Sequence, residues 1–200
     1  MWVVKLGGSL LRDSADQWLP QWLQELATLG GGRIVIVPGG GGFADQVRDA
    51  QSTWHFTDLV AHNMAVLAMA QSAMMFQGLR NELVLAVTED DITRALHQGR
   101  VPIWVPFEVL RQEEGELTHW GVTADSLSAW LSKRLNAERL LLVKSCAVAP
   151  GISMEECVAS GIVDDSFGDF SRDASYPVEL IDKRNVGRLR ELLLSTPAAG

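Results

Sequence analysis

Two glycine-rich turns, each placed directly after an apolar run, constrain this chain more than any other feature. The first is Val3-Val4-Lys5-Leu6-Gly7-Gly8-Ser9, and the second is Ile34-Val35-Ile36-Val37-Pro38-Gly39-Gly40-Gly41-Gly42. A strand that ends in several glycines lets backbone N–H groups turn inward around an anion-sized hollow. A helix opening immediately afterwards adds its unpaired amides and the positive end of its dipole. Two such hollows, with Lys5 just ahead of one, suit a polyphosphate and point to a nucleotide.

The remaining pattern supplies a scaffold for those turns. Trp2–Leu6, Arg33–Val37, Leu83–Val87, Val101–Val105, Leu140–Val143 and Val178–Ile181 read as strands. Between them, Asp16 to Leu29 carries Trp18, Leu19, Trp22, Leu23, Leu26 and Leu29 at helical spacing, with a start near Pro20 and a stop at Gly30-Gly31-Gly32. Further helices are expected over Phe43–Gln51, Thr57–Leu79, Ile92–Gln98, Thr123–Leu135 and Val186–Leu194. Residues 112–121 fit a loop or small hairpin, and Ala149 to Ser175 holds only a short helix near Glu155–Ser160. Continuously apolar strands alternating with helices imply a mainly parallel sheet covered on both faces. The expected fold class is therefore α/β, a three-layer αβα sandwich. A length of 200 residues favours a single domain over 1–200.

Charge and composition narrow the partners. A net charge of −8 argues against a nucleic-acid duplex, which needs clustered Lys and Arg, but leaves a nucleotide open. No apolar run approaches the roughly 18–20 residues needed to span a bilayer. Lys5 and the paired glycines also break up the first apolar run, unlike a signal peptide. A cytoplasmic protein without a membrane partner is the expectation. Cys146 and Cys157 have no metal-like partners at useful spacing and read as free thiols. A helix from Thr57 puts Asp58 and His62 on one face, but no third ligand accompanies them, so no metal site is expected.

Walker A needs its lysine after the glycines, whereas Lys5 precedes them. A dinucleotide fingerprint is closer, as Gly39-x-Gly41-x-x-Ala44, but it wants a short helix and then a strand ending in an acid. The long Thr57–Leu79 helix follows instead.

Three motifs in order resemble the amino acid kinase family. These are Val3–Ser9, Val37-Pro38-Gly39-Gly40-Gly41, and Val122-Thr123-Ala124-Asp125-Ser126-Leu127-Ser128-Ala129 with Leu140–Val143 behind it. The resemblance implies transfer of the γ-phosphoryl of ATP, with Mg²⁺ carried mainly by ATP. It implies an acceptor lobe over roughly 1–110 and a nucleotide lobe over roughly 111–200. Lys5 would neutralise the transferring group, Gly7, Gly8 and Ser9 would offer amides to the ATP phosphates, and Gly39, Gly40 and Gly41 would face the acceptor. Asp125 matches the aspartate that orients the catalytic lysines. His55, Asp58 and His62, after the second turn, would help select the acceptor.

Two departures bear on the nucleotide side. Lys144-Ser145-Cys146-Ala147-Val148 stands where the family has a Thr-Asp-x-Asp-Gly-like sequence, and its later glycine-methionine-lysine segment is missing. Lys144, ending a parallel strand on the ligand side, would supply the second positive charge and contact the ATP phosphates. Gly161-Ile162-Val163-Asp164-Asp165-Ser166-Phe167, together with Trp120-Gly121-Val122-Thr123-Ala124-Asp125, resembles a compact branch that converts an aminomethyl-furan-methyl phosphate to its diphosphate in one-carbon cofactor synthesis. Family members are usually homo-oligomers. The competing readings are the same chemistry on a carboxylate or another phosphate, a non-catalytic nucleotide- or oxyanion-binding module, and a Rossmann dehydrogenase.

Overall fold

A computed structural model describes residues 1–12, 17–149 and 151–195. Among them, β1 (Trp2–Leu6), β2 (Ile34–Pro38), β3 (Leu83–Ala86), β4 (Val101–Trp104), β5 (Arg139–Lys144) and β6 (Val178–Asp182) form one sheet in the order β3-β4-β2-β1-β5-β6. Every pairing is parallel. The connections carry α1 (Trp18–Leu29), α2 (Gly41–Trp54), α3 (Asp58–Leu79), α4 (Glu89–His97), α5 (Ala124–Arg134), α6 (Met154–Ala159), α7 (Phe167–Ser171) and α8 (Gly187–Ser195). This is the α/β class expected from the strand–helix alternation.

Strand side chains alternate between faces, and two cores follow from that period. Trp2, Val4 and Leu6 pack with Trp22 and Leu26 of α1 and Leu189 of α8. Val3, Leu140 and Leu142 pack with Leu127 and Leu131 of α5. In the β1–β5 register Lys5 lies opposite Leu142, two residues before Lys144. Lys5, Leu142 and Lys144 therefore share the α5 face. The chain leaves β1 toward β2 and later crosses back to place β5 on β1's other side. The carboxyl ends of β1 and β5 thus flank the point where strand order reverses, the crevice where open α/β sheets take ligands.

Three expectations change. The 112–121 segment forms turns with no strand pairing, so the hairpin alternative is absent. Helix α7 falls inside a stretch expected to be irregular; five residues are too few to show a period, and buried Phe167 anchors it. Helix α3 is apolar enough to fail the membrane exclusion, with a mean hydropathy of 1.4 over 18 residues. No single apolar stripe accounts for it: Val66 and Met69 enter one core while Ala70, Ala73 and Phe76 enter the other. Half of that window is buried inside the protein. Asp16, where the first helical stripe begins, lies outside the described residues.

The two glycine turns pack against each other backbone to backbone. A Cβ on Gly39 would stand 2.3 Å from the Gly8 amide nitrogen, and one on Gly8 would stand 2.6 Å from that of Gly41. Gly41 opens α2 at φ +55°, in the left-handed region that favours glycine. A Gly39→Ala substitution has backbone on the opposing side and no flexible side chain to yield. We expect it to cost about 1–3 kcal/mol, as overpacking does. Thermal unfolding measured by circular dichroism checks this, and an unchanged Tm would show that the turns have room to part.

Candidate active site

Three charged side chains from three elements meet where the strand order reverses. Lys5 Nζ lies 2.7 Å from Asp125 Oδ1, and Lys144 Nζ donates to Asp125 Oδ2 at 2.6 Å. Lys5, Asp125 and Lys144 are 5%, 4% and 8% exposed, so two ammonium groups share one buried carboxylate. Each ammonium group thus takes one oxygen of the carboxylate, Lys5 the Oδ1 and Lys144 the Oδ2. Burial alone would raise the Asp125 pKa, but the two lysines outweigh it and hold the carboxyl below its ordinary value. Burial, and then the charge on Lys5, lower the Lys144 pKa, against the pull of Asp125. The trio carries a net positive charge beside a hollow, an arrangement suited to polyanion binding.

Asp125 sits in the first turn of α5, whose N-terminus is held from outside the helix. Thr123 occupies the cap position, yet its side chain does not cap; its N–H and Oγ1 both donate to Asp164 Oδ2, at 2.9 and 2.7 Å. Ser126 N donates to the same oxygen at 3.0 Å, and Ser126 Oγ donates to Asp164 Oδ1. A carboxylate at this position satisfies amides that the helix itself cannot and suits the helix dipole.

A cavity of about 180 Å³ opens beside Lys5, bounded by Gly8, Ser9, Gly40 and Gly41. The expected amide donors divide into two groups here. Gly7 N donates to Val143 O at 3.1 Å and Gly39 N to Leu6 O at 2.9 Å, so both hold the turns to the sheet. Among the described residues, the amides of Gly8, Ser9, Gly40 and Gly41 have no intramolecular partner. The remaining expected residues separate as well. His62 is buried and borders the cavity, with Nε2 2.9 Å from Val109 O, which requires that nitrogen to carry the proton. Burial lowers its pKa, which favours the neutral ring. His55 is exposed and borders a neighbouring groove, while exposed Asp58 accepts from Gln51 Nε2 at 2.8 Å. Neither Lys144 nor Asp125 borders the cavity; of the trio, Lys5 does.

Arg12, Asp45, Arg48 and Trp120 also line the cavity and were not expected. Asp45 Oδ1 accepts from Arg12 at 3.0 Å and from Arg48 at 3.1 Å, and the Arg48 guanidinium lies 4.8 Å from the Trp120 ring centre. The indole N–H of Trp120 donates to Gln51. A helical reading of α2 from Gly41 would have found part of this, because Gly41, Asp45 and Arg48 recur at three- and four-residue spacing. Arg12 and Trp120 come from turns without a period to betray them. Among the described residues no three His, Cys, Asp or Glu side chains converge, and both Asp125 oxygens face ammonium groups. The described side chains therefore do not fit a resident metal.

The model of the amino acid kinase family matches residues 1–147. The chain belongs to that family. Over 142 residues it is 28% identical to the [5-(aminomethyl)furan-3-yl]methyl phosphate kinase of Methanocaldococcus jannaschii. That match covers 71% of this chain and 64% of the relative, so it spans less than two thirds of the relative's length. Among solved structures, the uridylate kinase of Archaeoglobus fulgidus superposes with a TM-score of 0.68 at 14% identity, covering 97% of this chain and 95% of that one. An isopentenyl phosphate kinase superposes at 0.59 and 16% identity, covering 97% and 96%. At these identities the structures speak for the fold.

Proposed function

We propose that this protein transfers the γ-phosphoryl group of ATP to a small phosphate monoester, giving a diphosphate and ADP. The observation that carries this reading is the buried Lys5–Asp125–Lys144 trio beside a cavity bordered by unpaired glycine-turn amides. Phosphoryl transfer asks a protein mainly for alignment and charge neutralisation. An acceptor phosphate oxygen attacks the γ-phosphorus, the new O–P bond forms, and the bond to the β-phosphate oxygen breaks as ADP leaves. Lys5 neutralises the transferring group. The amides of Gly8 and Ser9 steady the donor phosphates, those of Gly40 and Gly41 face the acceptor, and Lys144, away from the cavity lining, holds Asp125 in place. Magnesium enters with ATP as part of the substrate.

The acceptor side favours a molecule with three features. Arg12 and Arg48 suit a phosphate, Asp45 suits a cationic group, and Trp120 with neutral His62 suits a flat ring. An aminomethyl-furan-methyl phosphate, the substrate named for the relative from Methanocaldococcus jannaschii, carries all three. We assign the nucleotide lobe to roughly 111–200 and the acceptor lobe to roughly 1–110, with Gly8 and Ser9 reaching across to the donor phosphates and Trp120 to the acceptor, in a cytoplasmic protein. Exposed Val60, Leu67 and Met74, spaced by seven on α3, favour a homo-oligomer. The test is ADP release from MgATP across phosphate monoesters and carboxylates. A monoester-dependent signal with a diphosphate product is expected. Tight ATP binding with no ADP formed on any acceptor would instead indicate a binding module.

A further inference from the structure

The motif around Asp164 lies beyond residues 1–147, the stretch matched by the family model, and the chemistry above makes no use of it. Its carboxylate nevertheless takes four hydrogen bonds from two residues, Thr123 and Ser126, which bracket Asp125. The same segment is tied to the loop before α5, where Ser166 N donates to Gly121 O at 3.0 Å. Phe167, fully buried, packs in the core that contains Leu127. The start of α5 is thus fixed by a distant carboxylate instead of by its own cap residue.

We propose that Asp164 is a positioning residue for the phosphoryl-transfer centre: it locks the first turn of α5 and so holds the Asp125 carboxylate between Lys5 and Lys144. The inference rests on the kinase reading for its kinetic arm only. Asp125 must meet ammonium groups from two strands at once, and a frayed first turn moves its backbone relative to the sheet. A misplacement of about 1 Å at a phosphoryl-transfer centre costs on the order of 100-fold in rate. Asp164 also lies near enough to Lys144 to favour its charged form, and the other charged groups acting on Lys144 are Lys5 and Asp125; Lys144 in turn acts on the Cys157 thiol.

Asp164→Ala removes all four bonds, whereas Asp164→Asn keeps an oxygen for the backbone amides and loses the charge. Tyr176→Phe serves as the control, because Tyr176 Oη donates to Ala129 O on α5 at 3.0 Å, beyond the first turn. With ATP and an accepted monoester, Asp164→Ala is expected to lower kcat about 100-fold with the acceptor KM within about threefold. Asp164→Asn should recover about tenfold of that loss, since asparagine is also a good N-terminal cap. Tyr176→Phe should stay within about twofold of the parent. A kcat held within threefold in Asp164→Ala, or an equal loss in Tyr176→Phe, would overturn the proposal.

A second readout needs no turnover: the Lys144 side-chain titration, followed by NMR of ¹³C-lysine-labelled protein without nucleotide. The midpoint should fall in Asp164→Asn, where one negative charge is lost. It should fall further in Asp164→Ala, where Asp125 also slips from Lys144. A midpoint that is unmoved, or equal in the two variants, overturns the positioning role. If the parent protein phosphorylates nothing, the kinase reading fails by itself and the titration still decides the role of Asp164.

Discussion

Replacing Lys5 with alanine is expected to lower kcat by about 10³-fold or more, the scale seen when a charge stabilising a phosphoryl-transfer transition state is removed. Lys5 alone of the two lysines borders the cavity, so no second ammonium stands ready to take its place. The fold should survive, because Asp125 keeps its hydrogen bond to Lys144 at 2.6 Å. What is lost is the ion pair of Lys5 with Oδ1 at 2.7 Å. Steady-state kinetics beside a thermal melt separates the two effects. A variant that keeps kcat within tenfold would remove Lys5 from the chemistry and assign its place to structure.

Asp125→Asn is expected to damage both stability and turnover. The substitution leaves two buried ammonium groups without a counter-charge, and breaking a buried ion pair by removing one member costs about 3–5 kcal/mol. Lys144, already held below its ordinary pKa by burial and then by Lys5, should give up its proton more readily in the variant. The acid side gives a second signature. Asp125 has a depressed pKa in the folded state, so its contribution to stability is present above the unfolded value of 3.8 and is lost as pH falls through the folded value. Denaturant unfolding measured from pH 6 downward should therefore show less loss in Asp125→Asn than in the parent below about pH 4. Equal stability of the two proteins at pH 7 would mean that Asp125 does not neutralise the lysines.

The fold was legible because its signals are local and repeated. Six apolar runs, each bounded by glycine, proline or a helical stripe, need little tertiary information to be recognised. The members of the charged trio were legible one by one, since Lys5 interrupts an apolar run just before a glycine turn, Lys144 ends another and Asp125 lies in the first turn of a helix. Their meeting was not. It depends on the β1–β5 register, which puts Lys5 and Lys144 on one face, and a single sequence does not print a register between strands so far apart. The amides show the same limit. Gly7 and Gly39 look identical to their neighbours in sequence, and only the sheet decides that their N–H groups are taken. Arg12 was passed over, and Trp120 and Asp164 were read as parts of motifs without a role of their own, because isolated residues on turns have no periodicity and their partners come from other segments.

The position of β1 in the middle of the sheet bears on how the protein assembles. One edge of β1 is covered by β2 after a short stretch of chain, but its other edge waits for β5, after α2 to α5 have been formed. Until then a strand of five buried residues presents open hydrogen-bonding groups to any passing strand. Such long-range pairing is slow, because much loop-closure entropy is lost before any contact rewards it. The pairing that closes the second edge of β1 also brings Lys144 to Lys5 and Asp125. The charged centre therefore does not exist in a partly folded chain, and its assembly reports that the central strand has been sealed.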